Sequence, residues 1–269
     1  MLTINQQLCT GCAACVKDCL PKNICIKDGK AQPVSETCMA CGHCIAVCPV
    51  NAVSLTDLNM GDVIELTEAG VSPESFLSLI KSRRSVRQYQ DRPVDAALIH
   101  RMIEAARFTA TGGNRQDLSY VVVQKEMEPF RSLIINNLAE TAPALLEAAD
   151  TNMIMRNYAT RWLAIAEKYR SNPQEKDAVF FGVPTVILAT GNGPVDAGMA
   201  ISNMELMAHA SGLGALYSGF ITWGADHANV RELLGIPAKR KINMAMLVGH
   251  PDVKYRRSVP RNPQQVIWR

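Results

Sequence analysis

The chain has 269 residues, 48% of them apolar and 20% charged, and a formal net charge of +3. That length and apolar share support a sizeable core in one large domain or two. A charge so small and mixed, with no Lys/Arg tail and no aromatic-interleaved basic stripe, argues against nucleic acid as a partner. The longest apolar runs, such as VPTVILAT, fall well short of the roughly 20 residues of a membrane span. No arginine-led apolar leader precedes MLTINQQLCT, so the expectation is a soluble, cytoplasmic chain with no membrane partner.

All nine cysteines lie before residue 50, and that asymmetry marks a domain boundary. Cys9, Cys12, Cys15 and Cys19 have the spacing C-x-x-C-x-x-C-x-x-x-C; Cys38, Cys41, Cys44 and Cys48 repeat it, followed by Pro49. Three thiolates at that interval can wrap one face of an iron–sulfur cube, while the fourth turns away to a second cube. Cys9, Cys12, Cys15 and Cys48 then hold one cluster, and Cys38, Cys41, Cys44 and Cys19 the other. Disulfides do not suit a chain without a secretory signal, and zinc sites pair two C-x-x-C units across a longer gap. The segment is similar to bacterial ferredoxins with two 4Fe-4S clusters, over residues 1 to about 55. Leu20 stands where that family places proline, which moves to Pro21. The ninth cysteine, Cys25, is expected to be a small buried apolar residue, and His43 a surface or supporting residue. So short a segment depends on metal ligation to fold.

Residues 53–71 read as a connector without sustained period. A helix then opens at Ser72 as cap, Pro73 in the first turn and Glu74 near the positive end of the dipole. Phe76, Leu79, Ile80 and Arg83 follow at helical spacing. Arg83, Arg84 and Arg87 bracket Ser85 where the helix should stop, joining planar forks, a hydroxyl and free backbone donors in a combination suited to phosphate. A second basic set, Lys254, Arg256 and Arg257, follows the apolar strand INMAMLVGHP.

RRSVRQY, TGGNRQ at 111–116, GMAISNMELMAHASGLGALYSGF at 198–220 and LVGHPDVKYR at 247–256 resemble, in order and spacing, the FMN-binding elements of the nitroreductase family. The resemblance covers about residues 72–257. It implies that Arg83, Arg84, Ser85 and Arg87 meet the FMN phosphate, the ribityl chain and one ring edge. Asn114 and Gln116 bond the ribityl chain or isoalloxazine. Ser218 and Gly219 lay their backbone along the flavin, and Lys254 with Arg256 closes on the phosphate. It further implies a homodimer with FMN in a cleft built by both subunits. Where the family has proline and tryptophan after Gln116, this chain has Asp117 and Leu118.

VILATGNGPVDAG suggests a dinucleotide fingerprint but fails on spacing: Asp196 falls where the third glycine belongs, and Pro194 interrupts the turn. The following helix, about 195–211, carries Ala200, Ile201, Met204, Met207 and Ala208 as core or interface residues. Tyr158 and Trp162, four apart on an amphipathic helix, could line a substrate mouth or simply pack, and packing is the expectation. No histidine has a neighbouring acid and nucleophile at a triad's spacing, so no side chain is assigned as catalytic. Strands are expected near 119–124, 184–190, 214–221 and 242–249, and a long helical insert, between 126 and 178, is expected to form cleft walls.

The expected architecture is α+β: a two-cluster ferredoxin-like module, residues 1–58, ahead of a nitroreductase-like FMN domain, residues 72–269. Clusters pass single electrons and FMN can take them one at a time and give two up together as a hydride, so the combination reads as a converter. The expected donor is reduced ferredoxin, and the acceptor classes that the family implies are nitroaromatics, quinones and activated alkenes. The rivals are an NAD(P)H-driven reductase and a non-enzymatic electron carrier or redox sensor.

Overall fold

The computed structural model describes residues 1–35, 37–66 and 70–269. They divide into two compact units: Met1–Gly70 with Thr111–Arg115, and Val71–Ala110 with Gln116–Arg269.

The first unit is a doubled hairpin motif. Its elements are β1 (Leu2–Ile4), α1 (Ala14–Asp18), β2 (Ile24–Lys27), β3 (Lys30–Pro33), α2 (His43–Ala46) and β4 (Val53–Leu55). β1 pairs antiparallel with β4, and β2 with β3. Left-handed backbone at Gly11 (φ 72°), Ala13 (62°) and Lys22 (55°) recurs at Ala40 (50°), Gly42 (74°) and Asn51 (51°), the same interval that separates the two cysteine motifs. The repeat is therefore one of backbone geometry as well as of thiols. Gly11 is obligatory for a second reason, because a Cβ there would lie 2.1 Å from the Gly29 carbonyl oxygen.

Two expectations are corrected in this unit. The connector at 53–71 opens with β4, whose Val53 and Leu55 are buried opposite Ile4 and Leu2; residues 67–69 of that stretch lie outside the described residues. Cys25 is exposed, not buried. It lies on a two-stranded hairpin in which Ile24 alone of β2 is buried. Leu20 also faces solvent.

The second unit is built on a four-stranded antiparallel sheet with helices on both faces. Its elements are α3 (Pro73–Ser82), α4 (Ala96–Arg107), β5 (Ser119–Val123), α5 (Met127–Glu147), α6 (Met153–Ser171), β6 (Thr185–Thr190), α7 (Pro194–Ala210), β7 (Gly214–Tyr217), α8 (Gly219–Ala225), α9 (Ala228–Leu234) and β8 (Ile242–Gly249). The strand order is β5-β6-β8-β7, all pairs antiparallel. Every residue of β6 is buried, because Val186 and Leu188 face one core with Phe130, Ile134, Trp162 and Phe180, while Ile187 and Ala189 face another with Met102, Ala200, Ile201 and Met204. An alternating strand buried on both faces reads as a continuous apolar run. α5, α6 and α8 supply the first core and α4 and α7 the second.

The third expected strand stops early. Ser218 caps α8 by accepting a hydrogen bond from the Ile221 amide at 3.2 Å, so residues 219–221 are helical. Ser72 caps α3 in the same way, accepting from the Ser75 amide at 3.1 Å, with Pro73 at the first helical position. α3 buries none of its side chains, so Phe76, Leu77 and Ile80 form an exposed apolar stripe. The glycine stretch after β6 is a plain strand-to-helix corner, with Pro194 opening α7.

Candidate functional site

The first unit organises its thiols in two groups. Cys9, Cys12, Cys15 and Cys48 line one cavity, of about 320 Å³ of empty volume, with Ile4, Ala31, Val50 and Val53 among the other walls. Burial pushes the Cys15 thiol up, and Cys12 and Cys48 add to the rise as like-charged neighbours. Cys44 is pushed up to about 11, chiefly by burial and then by Cys38 and Cys41. Backbone amides already point at four sulfurs: Ala31 N–H to Cys9 Sγ (3.4 Å), Asn23 to Cys19 (3.2 Å), Ala40 to Cys38 (3.4 Å) and Ala52 to Cys48 (3.2 Å). The Ala31 donor is the leading reason that the Cys9 thiol lies below its ordinary range. Among the described residues no three His, Cys, Asp or Glu side chains form a group that could hold a metal ion; the first thiol group instead surrounds a cavity. His43 is an exposed residue whose Nδ1 lies 3.0 Å from Asp18 Oδ2.

In the second unit the two basic segments meet. After α3 the chain runs along the edge of β7, with the Val86 amide donating to the Ala215 carbonyl at 3.0 Å and Ser85 bridged to Ala215. The approach is so close that a Cβ on Gly214 would lie 2.6 Å from Val86 Cγ2. Further on, the Asp252 amide donates to the Gln88 carbonyl at 2.9 Å and the Tyr255 hydroxyl to the Ser85 carbonyl at 3.5 Å. This brings the segment carrying Lys254 and Arg256 beside Arg84, Ser85 and Arg87. An open groove of about 950 Å³, solvent space included, lies between α3 and this segment, lined by Glu74, Leu77, Ser78, Lys81, Ser82, Tyr255, Arg256, Arg257 and Ser258.

The arginines are not equivalent. Arg84 has Nε and Nη2 buried with no hydrogen-bond partner among the described residues, while its Nη1 donates to the Arg83 carbonyl. Arg87 is exposed. Arg83, by contrast, is paired with Glu205 of α7, Nη1 to Oε1 at 2.8 Å, and the Tyr217 hydroxyl donates to the other carboxylate oxygen at 2.6 Å. Burial, then Glu205, raises the Tyr217 hydroxyl above its ordinary range. His209, one turn beyond Glu205, lies 2.7 Å from the Ser82 hydroxyl, and burial lowers its imidazole. Glu205 and Tyr217 escaped sequence reasoning. The available signal was a lone carboxylate in the otherwise uncharged run GMAISNMELMAHASGLG.

Asn114 and Gln116 fall in different units. The Asn114 side chain donates to the carbonyls of Met39 and Ala40, at 2.9 and 3.0 Å. Asp117 and Leu118, the departures from the family pattern, serve the corner after β6: Asp117 Oδ2 accepts from the Asn192 amide at 3.1 Å, and Leu118 closes on Gly191, where a Cβ would lie 3.0 Å from its Cδ2. Ser218 is buried at the start of α8, and a Cβ on Gly219 would meet nothing. On α8, Phe220 packs edge-on against Tyr158 and Trp162, which in turn meets Trp223. Trp162 is buried core, whereas Tyr158 and Trp223 are partly exposed.

A helix-flanked antiparallel sheet with an arginine segment at its edge, joined in one chain to a doubled thiol module, defines an α+β redox protein. The chain belongs to the nitroreductase family, whose profile matches residues 80–250, and residues 1–49 match the 4Fe-4S dicluster domain. It is an oxidoreductase. Among similar proteins, FMN reductase (NAD(P)H) of Bacillus subtilis is 24% identical over 188 residues, 70% of each chain. The NADPH-dependent oxidoreductase of Staphylococcus epidermidis is 25% identical over 191 residues, 71% of this chain and 70% of that one. The crystal structure of an FMN-bound nitroreductase from Bacteroides fragilis shares the fold, with a TM-score of 0.52 and 20% identity over 71% of this chain and 98% of that one. No helix among the described residues is long and apolar enough to cross a membrane.

Proposed function

We propose that this protein is a converter of single electrons into hydride equivalents, in which two 4Fe-4S clusters in residues 1–58 feed FMN bound by residues 72–269. The observation that carries the reading is the cavity at which Cys48 of the second motif joins Cys9, Cys12 and Cys15 of the first. The amides aimed at Cys9, Cys19, Cys38 and Cys48 support it, because N–H donors stabilise thiolate ligands. Cys38, Cys41, Cys44 and Cys19 make the second ligand set. FMN is supported by the two buried, partnerless nitrogens of Arg84, which suit a phosphate dianion.

Bound clusters supply one-electron transfer and bound FMN supplies hydride transfer. The chain's own residues bind and orient. Arg84 grips the phosphate, with Ser85, Arg87, Lys254 and Arg256 around it, while Arg83 is steadied by Glu205 beside them. Gln116, and the backbone of Ser218 and Gly219, orient the ring, and Asn114 is the remaining family contact. Tyr158 and Trp223 exclude water from an apolar acceptor such as a nitroaromatic, a quinone or an activated alkene. The exposed stripe of Phe76, Leu77 and Ile80 supports a homodimer, since so much contiguous apolar surface is normally covered.

The proposed donor is reduced ferredoxin. A second reading, NAD(P)H as donor, is favoured by the names of the relatives. Anaerobic turnover of parent and Cys12→Ser with reduced ferredoxin, NADH and NADPH separates the two. Ferredoxin-driven turnover lost in Cys12→Ser, with flavin content intact, supports the converter. Equal NAD(P)H turnover in both proteins, with none from ferredoxin, overturns it.

A further inference from the structure

The two cysteine motifs match in backbone geometry, yet their loops face different partners. In the first, the Cys9 carbonyl accepts from Lys30 of the β2–β3 hairpin. In the second, the Met39 and Ala40 carbonyls accept from Asn114, 75 and 74 residues later in the chain. Asn114 is held for this task. It sits in left-handed backbone (φ 54°), and its amide donates to the Thr111 carbonyl at 2.9 Å.

The Met39 carbonyl and the Ala40 N–H belong to one peptide group. Asn114 Nδ2 donates to its oxygen at 2.9 Å, and its N–H donates to Cys38 Sγ at 3.4 Å. A hydrogen bond accepted at the oxygen polarises a peptide and makes its N–H a stronger donor, by roughly 10–30% per bond in a chain of bonds. A stronger donor to a ligating sulfur favours the more negative, reduced form of a cluster and so raises its reduction potential. Asn114 thus reaches Cys38 through a single peptide without touching it.

We propose that Asn114 is a positioning residue for the cluster held by the 38–44 motif, raising its potential through the Met39–Ala40 peptide. The inference rests on the reading that the cysteines hold clusters, and it gives Asn114 a role beyond the proposed flavin contact. The test is an anaerobic redox titration of the holoprotein followed by electron paramagnetic resonance, with iron, sulfide and flavin measured on each sample. Asn114→Gly keeps the left-handed backbone and removes the donor; Asn114→Asp keeps the shape and replaces Nδ2 with an acceptor. In both variants, compared at full iron content, one cluster's midpoint should move to more negative potential while the other stays at its parent value. If Asn114→Gly assembles poorly, Asn114→Asp alone decides. Parent midpoints for both clusters in a variant with full iron content overturn the proposal, whatever happens to flavin. Parent protein without iron and sulfide refutes the cluster reading itself, a separate failure visible before any variant is made.

Discussion

Replacing Arg84 with alanine is predicted to release FMN while leaving the fold intact. Arg84 Nε and Nη2 are buried with no hydrogen-bond partner among the described residues, so they are placed to receive acceptors from a ligand. A phosphate oxygen on each nitrogen makes a charge-assisted bond with a net worth of about 1.5–3 kcal/mol, so the pair is worth about 3–6 kcal/mol. Water entering the vacated space in the variant returns part of the difference. A net loss of about 3–4 kcal/mol remains, or roughly 100- to 1,000-fold in Kd. Flavin fluorescence titration of the deflavinated protein reads this directly, with riboflavin as the control because it lacks the phosphate. Arg84→Ala should weaken FMN and leave riboflavin unchanged, and the variant's flavin-free thermal midpoint should equal or exceed the parent's. An FMN Kd within about threefold of the parent, or equal losses for both flavins, would refute the reasoning.

Three further predictions come from residues around the two sites. Arg83→Ala strands the buried Glu205 carboxylate; because Arg83 is itself about a third exposed, the loss should be about 1–3 kcal/mol rather than the fully buried value. Urea denaturation checks it, and adding Glu205→Leu should restore part of the loss. Gly11→Ala meets both a left-handed φ of +72° and a carbonyl at 2.1 Å, whereas Gly42→Ala meets only φ of +74° with nothing within 4 Å. Iron analysis should therefore show the first variant depleted and the second near parent, with a stability loss of about 1 kcal/mol in the latter. Finally, burial holds His209 below its ordinary 6.5, so the folded state favours the neutral ring. Its contribution is complete above the unfolded pKa of about 6.5 and is lost as pH falls below it. Denaturation midpoints of His209→Gln should fall less steeply than the parent's from pH 7 to pH 5 (about the range of the unfolded histidine).

Much of the scaffold was legible because its signals are local. The doubled thiol spacing, the cap at Ser72 with Pro73 behind it, and the apolar runs at 119–124, 184–190 and 242–249 each declare themselves within a few residues. The extent of the third strand was not legible, because GALYSGF is equally apolar as strand or as helix and only the Ser218 cap decides between them. Nor was β4, whose partner β1 lies some 50 residues earlier. At the site, the arginine cluster could be read but its division of labour could not. Which guanidinium stays open depends on Glu205, brought against Arg83 across 122 residues of chain. Asn114 carries the same lesson: its side-chain bonds to Met39 and Ala40 cross some 75 residues of chain, and no local signal in TGGNRQ announces them.

The crossed strands of the first unit, β1 on β4 and β2 on β3, tie the two halves into a mutual latch. With Cys48 standing among the thiols of the first motif, oxidative damage on one side loosens a ligand counted on by the other. On the proposed converter reading, the module would then fail as a whole: a half-corroded wire carries no current, and the flavin would stand idle instead of being drip-fed one electron at a time.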